Sequence, residues 1–311
     1  MRPKKGASGP HAIVIGSGFG GLAAAIRLGA RGYRVSILEK LDAPGGRAYV
    51  HRQDGFTFDA GPTIITAPFL FEELWSLCGR RFADDVELRP MSPFYRIRFD
   101  DGDTFDYHGD PRATLREIAR FSPDDVAGFE RYLAASEAVY RVGFNKLSDI
   151  PFDTWRDMAR ILPDMVRLRA ERSVVGMVSR FVKDPRLRMV LSFHPLLIGG
   201  NPFAVSSIYT LIAHLERHWG VFSAIGGTGR IVAGMLDLIE GQGGQVSLNT
   251  EVAEILVEQG RATGVRLAGG GTLHADLVVS NADSAWTYRH LLPETARRRW
   301  TCLLYTSDAA D

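Results

Sequence analysis

Gly16, Gly18 and Gly21 fall in the run Gly16-Ser17-Gly18-Phe19-Gly20-Gly21, which fits G-x-G-x-x-G, and Glu39 follows 23 residues after Gly16. These residue types at this spacing suit the binding of a dinucleotide. Gly16 allows a tight turn. Gly18 has no Cβ, so backbone can approach a pyrophosphate, and Gly21 lets a helix pack closely on a strand. Glu39 is placed to accept hydrogen bonds from a ribose hydroxyl pair.

That chemistry needs a strand, a turn, a helix and a second strand, and the flanking sequence supplies them in order. His11–Ile15 is a short apolar run and predicts a buried strand. Leu22–Ala30 is rich in Ala and Leu and predicts a helix, which Gly32 ends. Arg34–Leu38 predicts the second strand, with Glu39 at its end. The helix N-terminus would offer free N–H groups and a positive dipole to phosphates. A lone glycine motif is a weak signal; strand, helix, strand and acid together make it specific.

Two loops extend the site. Leu41-Asp42-Ala43-Pro44-Gly45-Gly46-Arg47 can turn sharply and approach a ligand, and Arg47 could set its guanidinium against a phosphate rather than stand as a solvated loop charge. Gly55–Thr63 alternates apolar and polar residues and then turns. Asp59 and Thr63 serve there as turn or cap residues, or Gly61 and Pro62 bring backbone close to a flavin ring.

The remaining chain predicts scaffold with several open alternatives. Phe69–Cys78 suits a helix with Leu70, Leu74 and Leu77 on one face. Phe94–Phe99 and Thr104–Tyr107 suit a hairpin around Asp100-Asp101-Gly102-Asp103, a solvated turn rather than a calcium loop. Asp110-Pro111 and Ser122-Pro123 each suit an N-cap followed by Pro at the first helical position. The second helix runs to about Lys146, its Val126, Phe129, Leu133, Val139, Tyr140 and Phe144 forming core first and tunnel lining second. Arg156–Arg188 carries nine basic and four acidic residues with interleaved Leu, Met, Val and Phe, and Pro163 and Gly176 interrupt any single long helix. It suits either ordinary amphipathic helices with a wet basic face or a surface for anionic lipid. His194 is a base or, beside Pro195, a structural histidine. Gly226-Gly227-Thr228 is an anion-binding nest or a helix start capped by Thr228. Gln245–Leu248 and Glu251–Glu258 suit paired strands, and Arg261–Leu267 and Asp276–Ser280 add two more.

Composition narrows the class. With 311 residues and 45% hydrophobic content the chain can bury a large core, and length suggests two domains. Lys+Arg of 37 against Asp+Glu of 36 gives no global pull towards nucleic acid. Cys78 and Cys302 lie far apart and form no ligand pattern, which fits a reducing cytoplasm. No apolar run approaches the roughly 18–20 residues of a spanning helix. The first ten residues lack the apolar core of a secretory signal and suit a disordered lead-in.

The glycine fingerprint, the Glu39–Ala48 run and Gly55–Thr63 together resemble the FAD-dependent carotenoid desaturases of the phytoene desaturase type. These share a superfamily with amine oxidases and protoporphyrinogen oxidase. NAD dehydrogenases share the glycines but not the G-G-R or D-A-G-P-T segments, so the resemblance implies FAD. The run from Phe193 through Phe203, Ser206–Tyr209, His218–Val221 and Gly226–Gly229 is similar to the bacterial members in particular.

The resemblance covers about residues 12–299. It implies an α/β fold: a discontinuous Rossmann-like FAD-binding domain, residues 10–75 and 221–290, around an inserted mixed-sheet and helical region, 76–220, that binds substrate and associates with a membrane. The cofactor residues implied are Gly16, Ser17, Gly18, Gly20, Gly21, Glu39, Lys40, Gly46, Arg47, Gly61, Pro62, Thr63 and Val252, the last facing adenine through its backbone. The strand Val278–Ala282 would end near the cofactor.

The activity implied is stepwise desaturation of phytoene towards lycopene, with hydride passing to flavin N5 and a quinone or oxygen as final acceptor. The sequence names no catalytic base. An amine- or porphyrinogen-type oxidase and a non-catalytic carotenoid-binding flavoprotein are the competing expectations. The location expected is cytoplasmic, peripheral to a membrane. Family members continue past residue 311, and Thr301–Asp311 does not resemble them. The expectation is therefore a truncated fragment with a non-native tail, inactive or impaired alone.

Overall fold

A computed structural model of the chain describes residues 9–144, 146 and 155–297. Residues 1–8, Cys302 and the expected tail 301–311 lie outside them. The chain divides into two units, one drawn from Met1–Ile64, Pro68–Arg89 and Ser223–Asp311, the other from Ile65–Ala67 and Pro90–Phe222.

In the first unit, Ala12, Ile13 and Val14 are fully buried in β1 (His11–Ile15), as a continuous apolar run requires when both faces of a parallel strand are covered. The chain turns at Gly18 into α1 (Phe19–Ala30), which buries Leu22, Ala25 and Ile26, and returns as β2 (Arg34–Leu38). β1 and β2 pair in parallel from His11↔Arg34 to Ile15↔Leu38, so the expected βαβ unit forms, its helix three residues longer at the start. β3 (Val50–Gln53) and β4 (Phe56–Asp59) form a hairpin across Asp54 and Gly55, both left-handed at φ 51° and 83°. The sequence reading noted the alternation from Gly55 to Thr63 and named neither strand.

α2 (Pro68–Leu77) buries Leu74 and Trp75 and leaves Leu70 and Leu77 exposed, so the expected Leu70–Leu74–Leu77 face is corrected. Trp75 decides the rotation. Its ring packs edge-on against Phe82 with centroids 4.8 Å apart, and its indole N–H donates to Asp85 at 2.6 Å. The same contacts tie residues 78–89 to the first unit, whereas the sequence reading began the inserted region at residue 76.

In the second unit, β5 (Tyr95–Arg98) and β6 (Thr104–Tyr107) form the expected hairpin. The acids of its turn meet arginines: Arg120 binds Asp103 at 3.0 Å, and Arg186 lies 3.5 Å from Asp101. α3 (Pro111–Phe121) is capped by Asp110, which accepts from the Arg112 and Ala113 amides. Ser122 makes no such cap, because a tight turn at Pro123–Asp125 intervenes; the Asp125 carboxylate binds the Lys183 and Asp184 amides instead, at 2.8 Å each. α4 (Val126–Gly143) buries Phe129, Tyr132, Val139 and Tyr140. Phe129 and Tyr132 join a core with Phe99, Phe105, Tyr107, Ile118, Val178 and Leu187.

α5 (Trp155–Arg167) runs through Pro163, against the expected break. Ala159 and Pro163 both lie on the exposed side, where water can take the carbonyl that proline cannot serve. α6 (Pro185–Ser192) and α7 (Leu211–Trp219) complete the unit's longer helices.

The chain then re-enters the first unit with α8 (Thr228–Gly241). β7 (Gln245–Ser247) pairs in parallel with β2, while β8 (Val252–Glu258), β9 (Arg261–Leu267) and β10 (Thr272–His274) form a separate antiparallel sheet. The expected pairing of the Gln245 and Glu251 strands is thus corrected. Asn249, left-handed at φ 51°, re-aims the chain between them. β11 (Leu277–Ser280) pairs in parallel with β1, giving the order β11-β1-β2-β7. The parallel sheet is therefore built from segments more than 200 residues apart in sequence, with Ala12 paired to Leu277.

Candidate nucleotide site

The carboxyl ends of β1, β2 and β11 lie at one edge of the sheet, the position at which α/β folds take ligands. Gly16 is left-handed at φ 89°, and its N–H donates to Leu38 O at 2.8 Å, which closes the turn on β2. A Cβ on Gly21 would overlap the Gly16 carbonyl. One on Gly20 would stand 2.5 Å from Asn281 Oδ1, and one on Gly18 would stand 3.0 Å from Asn281 Nδ2. No side chain caps the start of α1, so its first-turn amides keep the unpaired donors of any helix start. Glycine backbone, the start of α1 and the Asn281 carboxamide form a concave surface of the kind that suits a pyrophosphate. The sequence reading took β11 to this edge without singling out Asn281; the only signal was its place at the end of an apolar strand.

Glu39 is only 5% exposed. Its Oε2 accepts the Ser17 N–H at 2.8 Å and the Ser17 hydroxyl at 2.7 Å, and its Oε1 accepts the Leu41 N–H at 3.0 Å. Burial pushes the carboxyl up, but the Leu41, Ser17 and Lys40 donors outweigh it and hold its pKa below the ordinary value. Ionised, it still has acceptor capacity for a ribose hydroxyl. Ser17 is fully buried and directs both donors at Glu39, so it acts through that carboxylate rather than towards a phosphate.

The other expected residues gather around this pair. The Gly45 N–H donates to Ser17 O at 3.1 Å, and a Cβ on Gly46 would stand 3.0 Å from Gly18 Cα. The Pro44-Gly45-Gly46 loop thus lies on the fingerprint and presents Arg47 to solvent. Gly61 rests on the Arg47 carbonyl so closely that a Cβ would overlap it. Pro62 and Thr63 are exposed, and the Pro62 carbonyl accepts the Thr228 hydroxyl. Val252 is buried two residues after Thr250, whose N–H donates to Glu39 O at 2.7 Å. Lys40 lies beside Trp286, its Nζ 5.9 Å from the ring centroid.

The Gly226–Thr228 turn is already matched by an internal anion. Asp59 Oδ2 accepts the Thr228 N–H at 3.1 Å, and a Cβ on Gly227 would stand 2.6 Å from that oxygen. Gly227, not Thr228, is the N-cap, and Asp59 serves from β4 the role expected of Thr228.

In the second unit His194 is buried, its Nε2 3.1 Å from Glu216 Oε2. Glu216 Oε1 accepts the Tyr95 hydroxyl at 2.5 Å, and burial with that nearby charge pushes the Tyr95 phenol far above its ordinary range. This is the structural histidine of the two sequence alternatives.

A βαβ glycine cradle, a buried ionised acid at the end of β2 and strands from both ends of the chain define a dinucleotide-binding oxidoreductase fold. Residues 19–299 match the family of flavin containing amine oxidoreductases, and the chain belongs to it. The family is flavin containing, and the cradle and Glu39 fit the diphosphate and ribose of FAD.

The neurosporene-forming phytoene desaturase of Cereibacter sphaeroides is 53% identical over 291 residues, 94% of this chain and 56% of its own. The lycopene-forming phytoene desaturase of Pseudescherichia vulneris is 51% identical over 90% of this chain and 57% of its own. The chain therefore spans little more than half the length of these relatives. A triple mutant of putrescine oxidase shares the fold at TM-score 0.63 and 16% identity, over 93% of this chain and 62% of that one.

Proposed function

We propose that this chain supplies the nucleotide-binding and substrate-contacting parts of an FAD-dependent carotenoid desaturase that oxidises phytoene stepwise towards lycopene. The observation that carries this reading is 53% identity to a phytoene desaturase extending over 94% of the chain, the middle region included. Bound FAD supplies an acceptor for hydride at its N5. The cradle from Gly16 to Gly21 holds the diphosphate, Arg47 adds positive charge from the loop, and Glu39 orients the ribose. Asp59 and Thr228 hold the Gly61-Pro62-Thr63 turn, whose backbone would border the flavin.

A polyene hydrocarbon has no polar handle, so its binding rests on buried apolar area at about 25 cal/mol per Å². It enters from a membrane, on this reading. α5 supports that: Trp155, Leu162 and Val166 are exposed beside the exposed Arg156, Arg160 and Arg167, the composition of a helix that lies on anionic lipid. Among the described residues no helix is long and apolar enough to cross a membrane. A quinone or oxygen takes the electrons in turn.

The test is incubation of the protein with FAD and phytoene-loaded liposomes, followed by visible absorption. Growth of polyene bands supports the desaturase. Turnover of an amine or a porphyrinogen, with no colour from phytoene, overturns it.

A further inference from the structure

We propose that Trp286 is the wall on which the adenine ring stacks, an assignment that rests on the FAD-binding reading above. The contact between Trp286 and the residue that follows Glu39 argues for it. The glycine cradle takes the diphosphate, and Glu39, at the end of β2, takes the ribose next to it. The residue after Glu39 is Lys40, whose Nζ lies 5.9 Å from the Trp286 centroid. In an adenine dinucleotide the group covalently beyond that ribose is the purine. The aromatic ring within reach of Lys40, the residue after Glu39, is this indole.

The indole is held for this role. Asp283 caps the short turn Ser284–Trp286, accepting from the Ala285 N–H at 2.8 Å and the Trp286 N–H at 3.2 Å, two residues after the Asn281 that overlies the cradle. His290 packs against the ring with centroids 4.0 Å apart. Leu291, next in the chain, is buried in the same cluster as Val252, which ties this turn to the segment already placed beside Glu39. Trp286 is nonetheless 49% exposed. An aromatic backed by His290 and left half open at the ribose end of a nucleotide site has the form of a stacking platform.

A purine between Trp286 and Lys40 would need two contacts of about 3.5 Å each. The present 5.9 Å is less than that, so the lysine swings outward as the base enters, as its flexible stem permits. Its charge then lies over the outer face of the purine.

The experiment is calorimetric titration of the whole chain and its W286A and W286F variants with FAD, ADP and FMN. ADP carries the adenine and diphosphate without flavin; FMN carries flavin without adenine. We expect W286A to weaken ADP and FAD by about tenfold or more, FMN to be unaffected, and W286F, which keeps a stacking ring, to stay close to the unaltered chain. We also expect ADP to quench the tryptophan emission of the unaltered chain, and that quench to be absent from W286F. ADP binding to W286A within twofold of the unaltered chain overturns the stacking assignment alone. Binding of neither ADP nor FAD to the unaltered chain overturns the nucleotide reading and this one with it.

Discussion

Replacing Glu39 tests whether the nucleotide site is organised before the cofactor arrives. In Glu39→Ala the Ser17 N–H and hydroxyl both lose their acceptor, and Ser17 is fully buried, so water cannot replace it. A buried donor left unpaired costs about 1–3 kcal/mol, so two cost roughly 2–6 kcal/mol. Glu39→Gln keeps the shape. Its amide oxygen can take the Ser17 donors, but its NH₂ then faces the Leu41 N–H, where Oε1 now accepts at 3.0 Å. One donor facing another replaces one charge-assisted bond, a loss of about 1.5–3 kcal/mol.

The sign of the pH effect follows. The Glu39 pKa is lowered in the folded state, so its stabilisation is fully present above the ordinary carboxyl value and is lost as pH falls through the folded value. Urea unfolding without cofactor, from neutral to acid pH, should show a lower midpoint for Glu39→Gln at neutral pH and a gap that closes in acid. An equal midpoint at neutral pH, or a gap that widens in acid, would refute the argument that Glu39 is an ionised and satisfied carboxylate.

Gly21→Ala and Gly20→Ala should separate sharply: the first drives a Cβ into the Gly16 carbonyl, the second only towards the movable end of Asn281. FAD retention after gel filtration should vanish for the first and survive in part for the second. Asp59→Ala removes the acceptor for the Thr228 N–H and should cost about 1 kcal/mol, seen as a lower unfolding midpoint. The triple exchange of Trp155, Leu162 and Val166 to Ser should reduce sedimentation with anionic liposomes while FAD uptake stays unchanged, and added salt should weaken the attachment of the unaltered chain.

The βαβ unit was legible because its rules are local: β1 and β2 keep the predicted bounds, Gly16 answers to a left-handed φ, and Gly18, Gly20 and Gly21 answer to a tight approach within a few residues or at one neighbouring strand. What depended on partners far along the chain came from the resemblance, as for β11, or was missed. β7 and β8 are both short, adjacent and β-rich, and nothing local says that one joins β2 while the other pairs with β9; the left-handed turn at Asn249 decides it. The face of α2 went to Trp75 because Phe82 and Asp85, outside the helix, outweigh a leucine repeat within it.

The same limit explains the site. Ser17 stood among the cofactor residues through the resemblance alone, because G-x-G-x-x-G fixes its neighbours and leaves its own side chain free, whereas Glu39, 22 positions away, takes both of its donors. Asp59 and Thr228, 169 positions apart, were each assigned a local capping role and share one. A glycine announces itself because the geometry it allows is its own. A carboxylate or hydroxyl takes its role from whichever donor the fold brings to it, and here those donors come from another segment of the same sheet edge.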